Sequence, residues 1–306
     1  MQLDKMPGEN EIQKWGLTDY VGAVTDGTYG AVGLDFKSPH TGLAAKKVWF
    51  FFDKTYVCLG TDISSRMRDS GELNRSAASC LVTVSDADGI HPQERGSRMK
   101  KGVRWVVHDR VGYYFLNKEN VILSNQRTEG SWKIANRQTT TPTDIIQQDV
   151  FTLSVDHGSY PNNEGYAYMV VPSADPLSIE KQVEEEGVVV LANCPDVQAV
   201  RHDGLNMAYA VFYKGGTLRI HDKIVVEMDA PGMLMVKYND AGEILTLGVS
   251  DPTRFMKKLH LSVNQRIVGT AQENIQTEWD GKQALTRITV ELPQNEYAGK
   301  SVIYNK

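Results

Sequence analysis

The sequence predicts an all-β protein made of two antiparallel sandwiches. From Val188 onward, short apolar segments recur about every 8 to 12 residues, which is typical of sandwich strands. The predicted strands are VVVLA, VQAV, MAYAVFY, TLRI, KIVVEM, MLMVKY, EILTLGV, KKLHLSV, LTRITVEL and SVIY. Turn sequences such as Gly215-Gly216, His221-Asp222 and Asn239-Asp240-Ala241-Gly242 separate them. We therefore predict a large β-sandwich over residues 1–200 and a smaller C-terminal β-sandwich over residues 201–306.

The clearest strand pair is a hairpin between Val48 and Leu59. VWFFF and TYVCL flank an Asp53-Lys54 turn. Both halves carry apolar residues on both faces, which predicts burial between two layers.

One segment has a convincing helical pattern, Pro176–Glu186. Asp175 is suited to cap the helix, Pro176 to occupy its first position and Gly187 to end it. We expect this helix to connect strands.

Two polar stretches predict loops. Residues 85–104 carry a basic cluster that we interpret as a solvated loop, with an anion site as the alternative. Within it Asp86, Asp88 and Gly89 predict a turn, because the later oxygen ligands of a calcium loop are absent. Residues 124–149 are polar and rich in threonine, which predicts a long surface loop around Trp132.

Composition narrows the function classes. A net charge of −5 argues against a general nucleic-acid binder, although a local basic patch could still hold a polyanionic glycan. Cys58, Cys80 and Cys194 have no zinc-type spacing, and the histidines show no HExxH pattern, so we expect no metal site. No apolar run approaches the roughly 18 residues of a membrane span.

The chain is organised around Phe151–Ser173, which predicts a strand, a polar loop and a second strand ended by Pro172. The loop brings together several hydrogen-bonding side chains, those of Asp156, His157, Asn162 and Asn163. This loop is therefore a place where functional groups could lie.

Motifs in the same segment, His157-Gly158, Pro161-Asn162 and Tyr166-x-Tyr168, resemble those of polysaccharide lyase family 8. These enzymes cleave chondroitin, hyaluronan or xanthan by β-elimination. Other motifs agree with the resemblance in chain order: Thr25-Asp26-Gly27-x-Tyr29-Gly30, Ala45-Lys46-Lys47-x-Trp49, His108-Asp109-x-x-Gly112-Tyr113, Gly130-Ser131-Trp132, Asn193 with Gln198-Ala199-Val200, and Asp251-Pro252-Thr253.

The resemblance implies a central super-sandwich, an acidic polysaccharide as partner, no cofactor, and an extracellular or periplasmic location. The opening residues MQLDKMPGENEIQ lack the build of a signal peptide, so a leader is expected upstream of this chain. The family's catalytic Asn, His, Tyr and Arg lie in an N-terminal helical toroid. We therefore expect no catalytic residue here, a helical catalytic domain as partner, and no turnover by this chain alone.

The family's β half also contributes a glutamate from a Glu-Thr-Thr-x-x-Gln-like motif. Alignment on Cys80 places Asn74 at that position, unless a shift of two residues brings in Glu72. Nearby arginines make this segment basic, and a guanidinium fork suits carboxylate or sulfate. The alternative is an exposed basic loop without a ligand. The predicted substrate-binding residues are Arg66, Arg68, Asn74, Arg75, Trp132, His157 and Asn162.

His157 has a second interpretation, as a structural histidine that fixes its loop. Trp132 is the best candidate for an exposed sugar platform, because Trp49 and Trp105 lie in apolar strand runs.

The leading hypothesis is that the chain is scaffold and one wall of a lyase's glycan cleft. The alternative is a stand-alone, non-catalytic carbohydrate-binding or structural protein. A third hypothesis is a sugar epimerase built on a similar large sandwich. That activity would require histidine and carboxylate groups that converge in one cleft.

Overall fold

The structure is a computed structural model that describes residues 16–38, 42–65, 71–77, 82–135, 138–267 and 274–306, with 71–77 described by backbone alone. The described residues form an antiparallel β protein, which confirms the predicted fold class. The strands are β1 (Val21–Thr25), β2 (Gly30–Lys37), β3 (Ala44–Phe51), β4 (Tyr56–Ser64), β5 (Gly71–Ala77), β6 (Val82–Asp86), β7 (Gly89–Pro92), β8 (Gly96–His108), β9 (Val111–Gly130), β10 (Ile146–Val155), β11 (Glu164–Pro172), β12 (Val188–Cys194), β13 (Val197–His202), β14 (Met207–Phe212), β15 (Gly216–His221), β16 (Ile224–Met228), β17 (Gly232–Tyr238), β18 (Ile244–Ser250), β19 (Lys258–Val263), β20 (Ile275–Asp280), β21 (Leu285–Glu291) and β22 (Val302–Asn305). The α-helices are α1 (Trp132–Ala135) and α2 (Ile179–Glu186).

The chain divides into two compact units. Unit 1 consists mainly of Asp62–Ile179 with Phe36–Ala45, and unit 2 of Asp19–Asp35, Lys46–Thr61 and Glu180–Lys306. These units are discontinuous in sequence, whereas we predicted a single boundary near residue 200. That boundary stays a prediction.

Unit 1 is built around β9, the longest strand. β9 pairs with β8 along most of its length, with β11 at its start and with β10 at its end. β8 continues the order through β6 to β7, while β10 also pairs with β5. The core of this unit contains Trp105, Phe115, Leu123, Phe151 and Met169, all with 0% of their surface exposed.

The turn between β8 and β9 requires special residues. Asp109 and Arg110 both have positive φ angles, as the two central residues of a tight hairpin between the paired His108 and Val111 need. Gly112 follows, and a Cβ atom there would lie 2.5 Å from Ile179 Cδ1. Only glycine therefore lets the strand approach α2 so closely.

Unit 2 has three layers. Its middle layer is a six-stranded sheet with the order β12-β13-β14-β17-β18-β22, and one outer layer is a five-stranded sheet with the order β15-β16-β19-β21-β20. The other outer layer is formed by residues 19–35 and 46–61, which carry β1 and most of β2 to β4.

Specific contacts fix this third layer against β14. Phe50 and Phe52 lie against Tyr209 with ring centroids 5.9 and 5.7 Å apart. The Tyr20 hydroxyl donates to the Phe212 carbonyl at 2.9 Å. The middle sheet is therefore covered on both faces.

The predicted hairpin over Val48–Leu59 is confirmed, as β3 and β4. The Phe52 backbone nitrogen donates to the Thr55 carbonyl at 3.0 Å to close the turn. Val48 and Phe50 are buried, whereas 42% of the Phe51 surface is exposed, so burial on both faces holds for only part of the strand.

The predicted helix begins later than expected. Residues 176–178 form a turn, and α2 runs from Ile179 to Glu186. The Asp175 side chain accepts from the Leu177 nitrogen at 2.8 Å, and Gly187 ends the helix with a φ of 62°. Glu186 lies 2.9 Å from His202 Nε2, which anchors the helix end to β13.

Two predicted loops are wrong. Residues 85–104 contain β7 and the start of β8, and two of their basic side chains pair with carboxylates of neighbouring segments. Arg95 lies 3.0 Å from Asp149, and Lys100 lies 3.3 Å from Asp86. The expected turn at Asp86 is confirmed, because Asp86 Oδ1 accepts from the Asp88 nitrogen at 3.0 Å between β6 and β7.

The second predicted loop, 124–149, is wrong at both ends. β9 continues to Gly130 and β10 begins at Ile146, so strands occupy both ends of this stretch. The short helix α1 lies between them and was not predicted. In the C-terminal region the predicted strands are confirmed, and β20 is an additional one.

Candidate glycan-contacting site

The loop between β10 and β11, residues 156–163, is held by its own backbone. Asp156 Oδ1 accepts from the Gly158 nitrogen at 3.0 Å, and Gly158 has a φ of 73°. The Pro161 carbonyl accepts from the Ser65 nitrogen at 3.0 Å, and the Asn163 nitrogen donates to Ser64 Oγ at 3.1 Å. These bonds give the loop a defined shape.

His157 is half-buried and lies beside an aromatic pair. Its ring centroid is 6.3 Å from that of Tyr166 with an interplanar angle of 26°, and Tyr166 lies 5.6 Å from Tyr168. The loop leaves Asn162 exposed. The sequence-predicted pair His157 and Asn162 therefore lies on one short, ordered loop.

β5 carries the next two predicted residues. Asn74 lies opposite the buried Leu153 of β10, and Arg75 lies opposite Thr152. Gly71 lies opposite Val155, the last residue of β10 before the loop. The backbone of β5 and the 156–163 loop thus meet at the same end of β10, and Asn74 is about 7 Å along the strand from that end.

The structure does not bring Trp132 to this point. Arg66 and Arg68 lie outside the described residues. Trp132 is 62% exposed on α1, at the opposite end of the β9–β10 hairpin, where Gly130 pairs with Ile146. The ten residues from Ile146 to Val155 span about 30 Å. Trp132 and His157 therefore cannot contact the same sugar ring.

A carboxylate pair near the loop was not found by sequence reasoning. Burial, followed by the nearby negative charge of Glu164, raises the pKa of Glu119 to about 7. The neighbouring Asn120 carbonyl accepts from the Asp156 nitrogen at 3.0 Å, which ties this part of β9 to the loop. No sequence motif links Glu119 to Glu164.

Several of the motifs that carry the family resemblance have structural roles in unit 2. In the β1–β2 turn, Asp26 Oδ1 accepts from the nitrogens of Thr28 and Tyr29, while Lys237 forms an ion pair with Asp26 and lies 4.5 Å from the Tyr29 ring centroid. Asp251 caps a turn by accepting from the Thr253 nitrogen at 2.8 Å.

A third motif, Asn193 with Gln198, forms a polar network in which Gln198 is fully buried. Gln198 Nε2 donates to Asn193 Oδ1 at 2.8 Å, and Asn193 Nδ2 donates to the Gly60 carbonyl at 3.1 Å. These three motifs therefore stabilise the fold.

Among the described residues, no three His, Cys, Asp or Glu side chains are grouped so that they could hold a metal ion. Within the same residues, no helix is long and apolar enough to cross a membrane.

Comparison with known proteins identifies two family models. Residues 2–183 match the super-sandwich domain of polysaccharide lyase family 8, and residues 189–260 match the C-terminal β-sandwich domain of that family. The first match alone covers more than half of the chain.

Relatives agree with these matches. Chondroitinase-AC of Pedobacter heparinus is 34% identical over 304 residues, which is 98% of this chain and 39% of that protein. Hyaluronate lyase of Thermasporomyces composti is 27% identical over 281 residues, 89% of this chain and 35% of that protein. The chain therefore spans about two fifths of the length of the curated relatives or less.

Solved structures share the fold. A chondroitinase AC lyase determined in complexes with oligosaccharide has a TM-score of 0.78 and 33% identity, covering 94% of this chain and 40% of that one. A Paenibacillus xanthan lyase has a TM-score of 0.80 at 22% identity, covering 94% of this chain and 28% of that one. The chain belongs to polysaccharide lyase family 8, and it carries that family's super-sandwich and C-terminal β-sandwich domains.

Proposed function

We propose that this chain forms the scaffold and one wall of the glycan cleft of a polysaccharide lyase that cleaves acidic polysaccharide by β-elimination. The observation that carries the proposal is the meeting of β5 and the 156–163 loop at one end of β10. Asn74 and Arg75 on β5, and His157 and Asn162 on the loop, are the residues that we assign to this wall.

The chemistry of the residues supports an anionic sugar as ligand. An arginine guanidinium can bind a carboxylate or sulfate through two parallel hydrogen bonds. Asparagine and histidine side chains can donate to and accept from sugar hydroxyls. Arg66 and Arg68 belong to the same proposed basic edge.

We assign the proton transfers to a helical domain outside this chain. β-Elimination requires a base for the proton next to the uronate carboxylate, a group that neutralises that carboxylate, and an acid for the leaving oxygen. The relatives are more than twice as long as this chain, which leaves room for such a domain in a complete enzyme. We also propose an extracellular or periplasmic location, where such polysaccharides occur.

The proposal is tested by incubating the chain with chondroitin sulfate and following the ultraviolet absorbance of unsaturated uronate. We expect no turnover, together with binding that weakens as salt is added. Arg75→Ala should weaken binding, while Arg219→Ala, which removes an exposed arginine from β15, should leave it unchanged.

Robust turnover by this chain alone would overturn the assignment of proton transfer to another domain. Absence of glycan binding, or equal binding by both arginine variants, would overturn the assignment of these residues to a wall of the glycan cleft. A stand-alone binding protein is the alternative, favoured by Asn74 in place of the glutamate that the family resemblance implies. The coding sequence upstream of Met1 separates the two, because the enzyme requires a long helical region there with Asn, His, Tyr and Arg in place.

A further inference from the structure

We propose that the outer face of the five-stranded sheet in unit 2 is a second saccharide site, which binds one or two sugar rings that carry a free amino group. The site is an open pocket of about 540 Å³ on β16, β19, β21 and β20. It lies entirely within unit 2 and is independent of the proposed glycan wall.

Strand register builds the pocket from two parallel rows of polar side chains. In the first row, Glu227 lies opposite Ser262, Ser262 opposite Arg287, and Arg287 opposite Glu278. The row therefore crosses all four strands. Since adjacent strands are about 4.8 Å apart, it extends about 14 Å.

The second row lies two residues further along each strand. His260 lies opposite Thr289, and Thr289 lies opposite Gln276. Asp229 extends the row, because its Oδ1 accepts from the His260 nitrogen at 3.2 Å. The rows are about 7 Å apart, so the face matches the area of one or two sugar rings.

Hydrogen bonds within the face hold several of these side chains. His260 Nδ1 lies 3.0 Å from Thr289 Oγ1, and Ser262 Oγ donates to Glu227 Oε2 at 3.5 Å. Hydroxyl and amide groups that both donate and accept suit a ligand rich in hydroxyls. A pocket of this volume is within the range that small-molecule sites occupy.

The negative charge of the pocket indicates which kind of saccharide it would bind. The pocket has the carboxylates of Glu227, Asp229 and Glu278, and in the described part of the chain no lysine or arginine forms an ion pair with them. The charge of Arg287 is already engaged, because its Nη2 lies 3.3 Å from Asp280 Oδ2 and also donates to Gln283. The face is therefore complementary to an ammonium group and repels the carboxylate or sulfate of an acidic glycan.

The experiment is isothermal titration of the chain with three disaccharides: one of glucosamine with free amino groups, its N-acetylated counterpart, and one that contains a uronate. We expect the amino form to bind and the acetylated form to bind about tenfold more weakly or less well still. Any binding of the uronate form should occur at the proposed glycan wall, so that Arg75→Ala weakens it and Glu278→Gln does not. Added salt should weaken binding of the amino form.

Matched variants locate the site. Glu278→Gln and Glu227→Gln should each weaken binding of the amino disaccharide several-fold, with circular dichroism unchanged. Glu291→Gln removes a carboxylate from the same sheet but outside the pocket, where Glu291 pairs with Lys258 at 2.6 Å, and should leave binding unchanged. The proposal is overturned if the amino disaccharide does not bind, if the pocket variants leave its binding unchanged, or if those variants weaken binding of the uronate disaccharide equally. None of these outcomes depends on whether the chain binds chondroitin sulfate.

Discussion

The middle and outer sheets of unit 2 differ in how many of their faces are buried. Every residue of β14 and all but one residue of β17 are buried, because layers cover the six-stranded sheet on both sides. In β19 and β21 buried residues alternate with exposed or half-buried ones, because the five-stranded sheet has one face in solvent. The same antiparallel architecture therefore produces two different sequence patterns.

This difference shows where the chain can carry ligand-binding groups. A sheet with two buried faces requires apolar side chains at successive positions, as in MAYAVF of β14. A sheet with one exposed face keeps polar side chains at alternate positions. New binding functions can be added to the second kind of sheet without loss of core packing.

The largest expected effect is a core truncation in the middle sheet. Leu234 of β17 has 0% of its surface exposed and packs in the cluster between the two sheets. Leu234→Ala should lower the free energy of unfolding by about 2 to 5 kcal/mol, because it removes buried methyl groups and leaves a cavity. Urea unfolding followed by circular dichroism measures the change.

Thr289→Ala on the outer face of β21 is the comparison for that variant. A surface substitution of this kind should change the free energy of unfolding by no more than about 0.5 kcal/mol. If both variants lower the free energy of unfolding by the same amount, the claimed difference in burial between the two sheets is wrong.

A smaller effect is expected where the middle sheet includes a polar network. Gln198 of β13 is fully buried, and it donates to Asn193 while it accepts from the Tyr213 hydroxyl, both at 2.8 Å. Gln198→Ala removes both bonds and should cost about 1 to 3 kcal/mol. Tyr213→Phe removes only one of them and should cost less in the same urea titration. A neutral Gln198→Ala would show that the network contributes nothing to stability.

The same contrast explains which elements could be predicted from sequence. Strands of unit 2 were predictable, because both of their patterns, continuous and alternating, are typical of β structure. The loop predicted over 124–149 was wrong because the far ends of β9 and β10 pair mainly with each other and remain exposed, so their side chains are polar. β20 was missed for a similar reason, since this edge strand has only one buried residue, Ile275.

The candidate site could be predicted only in part. His157 and Asn162 are close in sequence, so a local motif indicated their loop. The position of β5 beside β10 depends on pairing between distant segments, and no local pattern encodes it. Glu119 and Glu164 likewise come together only through the β9–β11 pairing.

The smallest expected effect on the free energy of unfolding comes from Glu119 of β9, a half-buried carboxyl group. Its pKa is about 7 in the folded protein and near 4.5 in the unfolded chain, so between these values the folded state keeps a proton that the unfolded state loses. The free energy of unfolding should therefore fall as the pH rises from about 4.5 to 7, and this contribution should be constant above 7. Glu119→Gln removes the ionisation, and above pH 7 it should be more stable than the native protein by about 1 to 2 kcal/mol, after allowance for solvent screening at a half-buried position.

Urea titrations at pH 4 and pH 8 measure that difference, which should be close to zero at pH 4 because Glu119 is then protonated in both states. Glu164→Gln should reduce the pH dependence without abolishing it, because burial is the larger cause of the raised pKa and the Glu164 charge the smaller one. Glu129→Gln, at an exposed position of the same strand, is the matched control for the loss of a carboxylate. If Glu119→Gln destabilises the protein at pH 8, the Glu119 carboxylate is ionised and favourably bound in the folded state. Glu119 would then behave like an exposed residue of a sheet with one face in solvent, and the effect of burial on its pKa would be contradicted.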